Sequence, residues 1–274
     1  MNLVKQLFQR RELLLILVQR NLKIRYKNSA LGFLWSLLTP ALMILMYACF
    51  AKILKFSDGA DYLPFLVAGI VIWQFTAGCM NDSLQAIVGN TNLVKKVAFP
   101  RIILPLSTAF ANGVNFLLTL IVLIVYLMLA GVFSYTNIYW LIPAVIMQLM
   151  LCIGICCICS VSNVFFRDTE HIIGIGSLAW FFLSPVFYRI PMQTSAVTSV
   201  LGLSEASQFQ GIVFLNPMTG ILGLYRAALM ENQLPVPVGV SLWWLLASAG
   251  VCLALFIAGL IAIHKGDKSF GDVL

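Results

Sequence analysis

Six stretches of this sequence, near residues 32–54, 63–88, 102–132, 138–162, 170–190 and 239–263, are apolar over the length that a lipid bilayer demands. About 20 helical residues cross a hydrocarbon core of ~30 Å. Backbone polar groups have no water to bond within that layer, so each crossing must satisfy its own. The chain is therefore expected to be an all-α integral membrane protein with six transmembrane helices. Composition agrees: 61% of residues are hydrophobic, 10% are charged and the mean hydropathy is +0.97. Soluble domains carry roughly 25% charged residues. The third stretch is overlong, which leaves both of its ends open.

Filled by spans to this degree, residues 1–274 form one domain. Its expected parts are a cytoplasmic amphipathic segment (1–31), spans one to five (32–190), an outer region (191–238), span six (239–263) and a tail (264–274). SDGAD at 57–61, GNTN at 89–92, SYTN at 134–137 and FRDTE at 166–170 are the polar breaks. An even span number puts both termini on one side. With that side cytoplasmic, it holds Lys5, Arg10, Arg11, Arg20, Lys23, Arg25, Lys27, Lys95, Lys96, Arg101, Arg167, Lys265 and Lys268. Lys52, Lys55, Arg189 and Arg226 fall outside. The excess of bases on one side fixes the cytoplasmic face.

The net charge of +7 raises nucleic acid as a partner, but no base-stacking or groove-reading motif accompanies it. Bases flanking spans set topology and touch anionic lipid instead. Seven bases precede the first span, within RNLKIRYKNSALGFLWSLLTP (20–40) and upstream of it. At ~3.6 residues per turn Arg20, Lys23 and Lys27 share a helical face, and Leu15, Val18, Leu22 and Tyr26 lie opposite. Such a helix is expected on the membrane surface with its basic face outward. The bases run on to Lys27, too far for the short charged start of a cleavable signal.

Residues 191–238 are the long external connection and are not a plain polar loop. Val197–Leu203 and Ile212–Leu215 are apolar, and Asn216-Pro217 precedes a helical pattern over Met218–Met230. Two short re-entrant helices fit, and so does an ordinary helix pair on the outer surface.

Two cytoplasmic motifs stand out. In NTNLVKKVAFPRIILP (90–105), Thr91 or Asn92 is expected to cap a helix of little more than one turn. Pro100 stops that helix. The expected exposed set is Val94, Val97 and Phe99 beside Lys95 and Lys96, which suits docking to a cytoplasmic partner; a basic topology loop explains the same residues. In FFRDTEHI (165–172), Asp168 is expected to cap span five and Glu170 to favour its positive end.

Chemistry of the catalytic kind finds little support. His171 and His264 sit at span ends with no nucleophile or ligand set nearby. Cys152, Cys156, Cys157 and Cys159 read as small buried hydrophobes. Asp82 stands alone within span two, whereas ion-coupled carriers show intramembrane ionisable relays. The GxxxxGKS/T phosphate-binding loop is absent, so the chain has no P-loop with which to bind ATP. Aromatic residues cluster in the first two spans (Phe33, Trp35, Tyr47, Phe50, Trp73, Phe75) and in span five (Trp180, Phe181, Phe182, Phe187, Tyr188). They fit either an interfacial belt or a pore lining on which sugar rings stack.

RNLKIRYKNSALGFLWSLLTP resembles the start of span one in the polysaccharide-export branch of the ABC-2 permeases. The resemblance continues in order through LVKKVAFPRIILPLS (93–107), FFRDTEHI (165–172), SPVFY (184–188), LNPMTGILGLYRAAL (215–229) and FGDVL (270–274). It implies a six-span half-transporter in the bacterial inner membrane, paired with a second copy and with two copies of a cytoplasmic ATPase that holds ATP and Mg. It implies no cofactor on this chain. It also implies that Thr91, Asn92, Leu93, Val94, Lys95, Lys96, Val97 and Phe99 form the ATPase-coupling helix, and that the segment ending near Lys27 is an interface helix. Residues 191–235 would be paired outer gate helices. The implied substrate is a lipid-linked glycan of the O-antigen, capsule or teichoic acid kind. Arg20, Lys23, Arg25 and Lys27 would be candidates for its pyrophosphate, and Phe33, Trp35, Tyr47, Trp73, Phe181, Phe187 and Tyr188 for a glycan channel. An ABC-2 exporter of a small lipid or drug is the nearest rival, ahead of a secondary carrier.

Overall fold

A computed structural model describes residues 10–25, 31–53, 62–97, 99–189, 212–237, 241–267 and 270. Lys27, residues 191–211 with the first expected outer helix, and the side chains of Phe33, Tyr47 and Phe50 lie outside what is described. Nine α-helices are described: α1 Arg11–Arg25, α2 Trp35–Ile53, α3 Tyr62–Val88, α4 Thr91–Lys96, α5 Ile103–Leu129, α6 Leu141–Phe165, α7 Thr169–Leu183, α8 Pro217–Leu229 and α9 Trp243–Gly266. The described residues contain no strand, only a bridge between Phe133 and Met230.

Four helical segments are long and apolar enough to cross a membrane: Tyr62–Val88, Ile103–Leu129, Ile138–Phe165 and Trp243–Gly266. These match four of the six expected spans and make the chain a multi-pass membrane protein. The first expected span is helical over the 19 residues of α2, with Pro40 inside it. The fifth is shorter than expected. Instead of running to 190, α7 ends after 15 residues at Leu183. Pro185 disfavours helical backbone in the residue before it, and Ser184 is accordingly extended (φ −95°, ψ 144°). The overlong third stretch resolves into α5, which stops before Gly131 at φ 71°.

Helix α6 is the central post, packed against α3, α5, α7, α8 and α9. Its contact with α9 is the closest. A methyl group on Gly259 would collide with the Gly154 carbonyl, and one on Gly154 with the Leu255 carbonyl. Small residues at a crossing let backbones touch, which drives helix association where lipid removes the hydrophobic incentive. Along α3, α6 makes polar bonds to backbone: Gln148 Nε2 donates to the Ile72 carbonyl (2.9 Å) and Asn163 Nδ2 to the Leu84 carbonyl (2.8 Å). Cys79, Cys152, Cys156, Cys157, Cys159 and Cys252 are buried and free. Among the described residues no three His, Cys, Asp or Glu side chains gather as a metal site.

Helix α8 is well specified locally. Asn216 accepts a bond from the Met218 amide, and Pro217 occupies the first turn, where its missing N–H costs nothing. It is not a surface helix: every residue from Pro217 to Leu229 is buried except Gly223, which is half-buried. Met218 Sδ meets Thr76 Oγ1 (3.5 Å), half-way along α3, and Arg226 reaches the Phe65 carbonyl near the start of α3. The helix therefore runs antiparallel to α3 and covers its first half.

Candidate functional site

The end of the bundle where α3 finishes gathers α1, α4, the start of α5 and the end of α9. Arg101 bridges the last two, donating from Nη1 to the Asp267 carboxylate (2.9 Å) and to its carbonyl. At this end α4 is a six-residue helix. Its capping differs from expectation. Asn90, not Thr91 or Asn92, stands at the cap and makes no side-chain cap bond. Thr91 Oγ1 instead donates back to the Val88 carbonyl (2.7 Å), and Asn90 Nδ2 to the Ala86 carbonyl (2.8 Å). Both bonds continue α3 into the turn.

A helix this short needs an anchor, and Val94 is that anchor. It is 4% exposed and belongs to one apolar cluster with Leu17, Ile87, Ile103, Cys157, Ile263 and Phe270. This corrects the expectation that Val94 is displayed. The displayed residues are Asn92, Lys95, Lys96 and Val97, the last 49% exposed. Leu93 and Phe99 pack partly against the same cluster, and Thr91 is half-buried.

Helix α1 lies along α5 and is turned differently from expectation. Leu17 and Val18 are buried, with Leu13 and Leu14 beside them, while Leu15, Ile16 and Ile24 are exposed. Of the expected basic face, Arg20 is half-buried rather than turned outward. Asn21 Nδ2 donates to Ser107 Oγ (3.3 Å). Arg25 is ion-paired with Asp82 and also donates to Asn112 Oδ1 (3.1 Å), while Asn112 Nδ2 donates to Asp82 (2.9 Å). Asp82, isolated in the sequence, is thus one corner of a three-residue clasp. Lys23 is exposed. Arg20 has a buried Nε with no partner.

Arg20 lines two adjoining cavities. One, of about 540 Å³, borders α4 through Asn90, Thr91, Lys96 and Val97. The other, of about 590 Å³, is walled by Arg25, Asp82, Gln85, Asn112 and Asn115. Arg25, Asn112 and Asn115 also line a third, of about 330 Å³, that reaches Trp35, Gln74 and Thr119. The cavities form a polar track from α4 into the bundle between α1–α2 and α3–α5. Ionisable residues on membrane spans, as Asp82 is on α3, tend to face the bundle interior or a water-filled cavity and to mark substrate pathways. Sequence reading passed over Asn112, Asn115 and Thr119, although their spacing of three and four puts them on one helical face.

The other candidate aromatics lie elsewhere. Trp73 is buried, edge-on to Trp180 at 5.5 Å and tilted against Phe181 at 5.5 Å. Phe181 meets Phe187 at 5.1 Å, and Phe187 meets Tyr188 at 5.6 Å. They form one continuous cluster between α3 and the end of α7. Trp35, 37% exposed, is separate from them on the track. Asp168 occupies the expected cap position of α7 but makes no side-chain cap bond; Thr169 Oγ1 bonds the Phe166 carbonyl instead. Glu170 accepts from Gln85 (3.4 Å).

At the opposite end, Arg226 has no sequence-level herald. It is 5% exposed, and its guanidinium donates to the carbonyls of Pro185 (2.7 Å), Val186 (2.6 Å) and Phe65 (3.3 Å). The cation also stacks on the Phe65 ring, 3.4 Å from its centre. Burial first, and the neighbouring Arg189 second, pull its proton affinity below the ordinary guanidinium value.

The sequence matches the family model described as ABC-2 type transporter over residues 12–230. Among curated proteins, an O-antigen export system permease protein RfbA of Myxococcus xanthus is 34% identical over 233 residues, 85% of this chain and 86% of that protein. One of the same name from Klebsiella pneumoniae is 29% identical over 264 residues, 96% of this chain and 95% of that protein. The polysialic acid transport protein KpsM of Escherichia coli is 25% identical over 248 residues, 87% of this chain and 88% of that protein. With α2 to α8 and all of α1 but its first residue inside the matched region, the chain belongs to the ABC-2 type transporter family.

Proposed function

We propose that this chain is the permease subunit of an ABC transporter that exports a lipid-linked polysaccharide across the bacterial inner membrane. The observation that carries the reading is likeness over most of the chain to permeases named for O-antigen export. The polysialic acid transporter broadens the substrate class to capsule-like glycans. ATP and Mg act on a separate subunit, two copies of which work with two copies of this chain. Helices α2 and α7 serve as the first and fifth of six spans. The basic end, with α4 and both termini, faces the cytoplasm, in keeping with the distribution of bases. Helix α8 acts as one of two outer gate helices.

The mechanism is conformational. Closure of the ATPases pushes on α4, whose Val97, Lys95 and Lys96 form the docking face while Val94 passes the movement inward. The lipid-linked glycan enters along the polar track from the inner leaflet. Arg20, with its unpartnered buried Nε, is the base we assign to its pyrophosphate. Arg25 is already committed to Asp82. Lys23 stays at the lipid surface. Trp35 offers a stacking face on the track, and the Trp73–Phe181–Phe187–Tyr188 cluster braces α7.

Replacing Val97 by Asp tests this. It places a charge on the docking face of an exposed position, so folding is preserved. The expected outcome is loss of ATPase association and of surface glycan, with lipid-linked glycan retained inside. Normal surface glycan together with normal ATPase association would overturn the coupling role. A deletion strain with unchanged surface and lipid-linked glycans would overturn the export reading itself.

A further inference from the structure

At the end of the bundle remote from α4, a cavity of about 200 Å³ lies between the start of α3, the end of α7, helix α8 and the residues that follow it. Arg189, Thr219, Arg226, Asn232 and Gln233 line it together with Phe65. Two features of its wall bear on what it could hold. The Arg226 and Arg189 guanidinium groups both lie against the Phe65 ring, at 3.4 Å and 5.8 Å from its centre. Two of its lining residues each carry a buried polar atom without a partner, Arg226 Nε and Thr219 Oγ1.

Arg226 spends its Nη groups on three carbonyls, which orient the guanidinium and leave Nε over. No acidic side chain lines the cavity among the described residues. Two like charges beside one ring repel each other, more so where water is scarce. A buried polar atom left unbonded adds to that cost. An anion with several acceptor oxygens relieves both, and guanidinium forks match phosphate best. The volume would also hold several waters at ~30 Å³ each. Water alone would leave the paired cations uncompensated.

We propose that the cavity walled by Arg189, Arg226 and Thr219 binds a phosphate group, carried by a membrane lipid or free in solution. The proposal is independent of the transport reading, since it uses neither α4 nor the polar track.

The test uses the full chain purified in a neutral detergent, with its melting midpoint titrated against three probes: inorganic phosphate, phosphatidylglycerol and diacylglycerol. Arg189→Gln is the principal variant because Arg189 is exposed and its loss leaves the carbonyl network of Arg226 intact. Thr219→Val is the second variant, and Arg167→Gln at the other end is the control. A saturable rise in midpoint with inorganic phosphate supports a site for free phosphate. A rise with phosphatidylglycerol alone supports a lipid headgroup site. In either case Arg189→Gln should raise the half-saturating concentration about tenfold and Thr219→Val about threefold, while Arg167→Gln behaves as the parent. No response to either phosphate probe overturns the proposal, leaving a water-filled cavity. So does a response matched by diacylglycerol, unchanged in Arg189→Gln, or weakened equally by Arg167→Gln.

Discussion

Replacing Asp82 by Ala breaks the clasp that joins α1 to α3 and α5, and its cost can be worked out from the contacts. The substitution removes the ion pair with Arg25 and the bond from Asn112 Nδ2. The two charged side chains are 38% and 40% exposed, so the pair itself is worth only ~0.2–1 kcal/mol. The Asn112 bond goes to a carboxylate that is 40% exposed, so it adds roughly 1 kcal/mol, below the ~1.5–3 of a buried charged acceptor. No orphan penalty arises, because Asn112 Nδ2 keeps its bond to the Thr108 carbonyl (3.1 Å). The sum is ~1–2 kcal/mol. Burying Leu17 and Val18 contributes ~3–6 kcal/mol, from about 1.5–3 for each side chain. The apolar anchors therefore hold α1 on the bundle, and the clasp fixes only its last turn.

Two readouts follow for the purified full chain. The melting midpoint should fall by about 2–8 °C, at roughly 2–4 °C per kcal/mol for a chain of this size. Trypsin should cut faster after Lys23 and Arg25, because the last turn opens locally while the rest stays folded. A double-mutant cycle with Arg25→Gln and Asp82→Asn should show coupling of about 0.5–1 kcal/mol, reduced in about 0.5 M salt. The charge swap, Arg25→Asp with Asp82→Arg, should recover much of the loss because the Asn112 amide can turn over and serve both partners. Additive single effects within ~0.3 kcal/mol, with no recovery in the swap, would refute the clasp.

Gly259→Ala should lower the yield of folded protein and its melting midpoint sharply, since the new methyl meets the Gly154 carbonyl; Gly174→Ala, with nothing within 4 Å, should leave both unchanged. In native detergent-solubilised protein, a maleimide should label Cys49 first, as the exposed thiol, with the six buried thiols following only after denaturation. Mass spectrometry reads the order directly, and early labelling of Cys152 or Cys156 would contradict the packing of α6 on α3.

What the sequence disclosed was set by range. Spans 63–88 and 239–263 were readable within a few residues because hydropathy is a local property, and the Asn216-Pro217 cap announced α8 for the same reason. The face of α1 was misread. Bases and leucines alternate around it so evenly that only the contact with α5 decides which leucines go inside. Val94 and Val97 look equivalent in sequence, yet one is an anchor and the other is displayed, because a six-residue helix has a single buried side. Arg226 gave no warning, since its partners are carbonyls, which every residue carries. The polar track joins α1, α3 and α5 across about 100 residues of sequence, and no local pattern ties Arg20 to Asn112.

The Gly154–Gly259 crossing has a mechanical consequence. With backbone against backbone and no side chain between, α6 and α9 approach more closely there than any larger residue would allow. Val94 shares its apolar cluster with Cys157 on α6 and Ile263 on α9, the two helices of that crossing. Under the coupling role proposed above for α4, a movement of the short helix reaches both helices at once through that cluster. By contrast, α7 buries only Thr169 and Ser177 and carries Gly174 and Gly176 in open space, so its hold on the bundle is the aromatic cluster around Trp73.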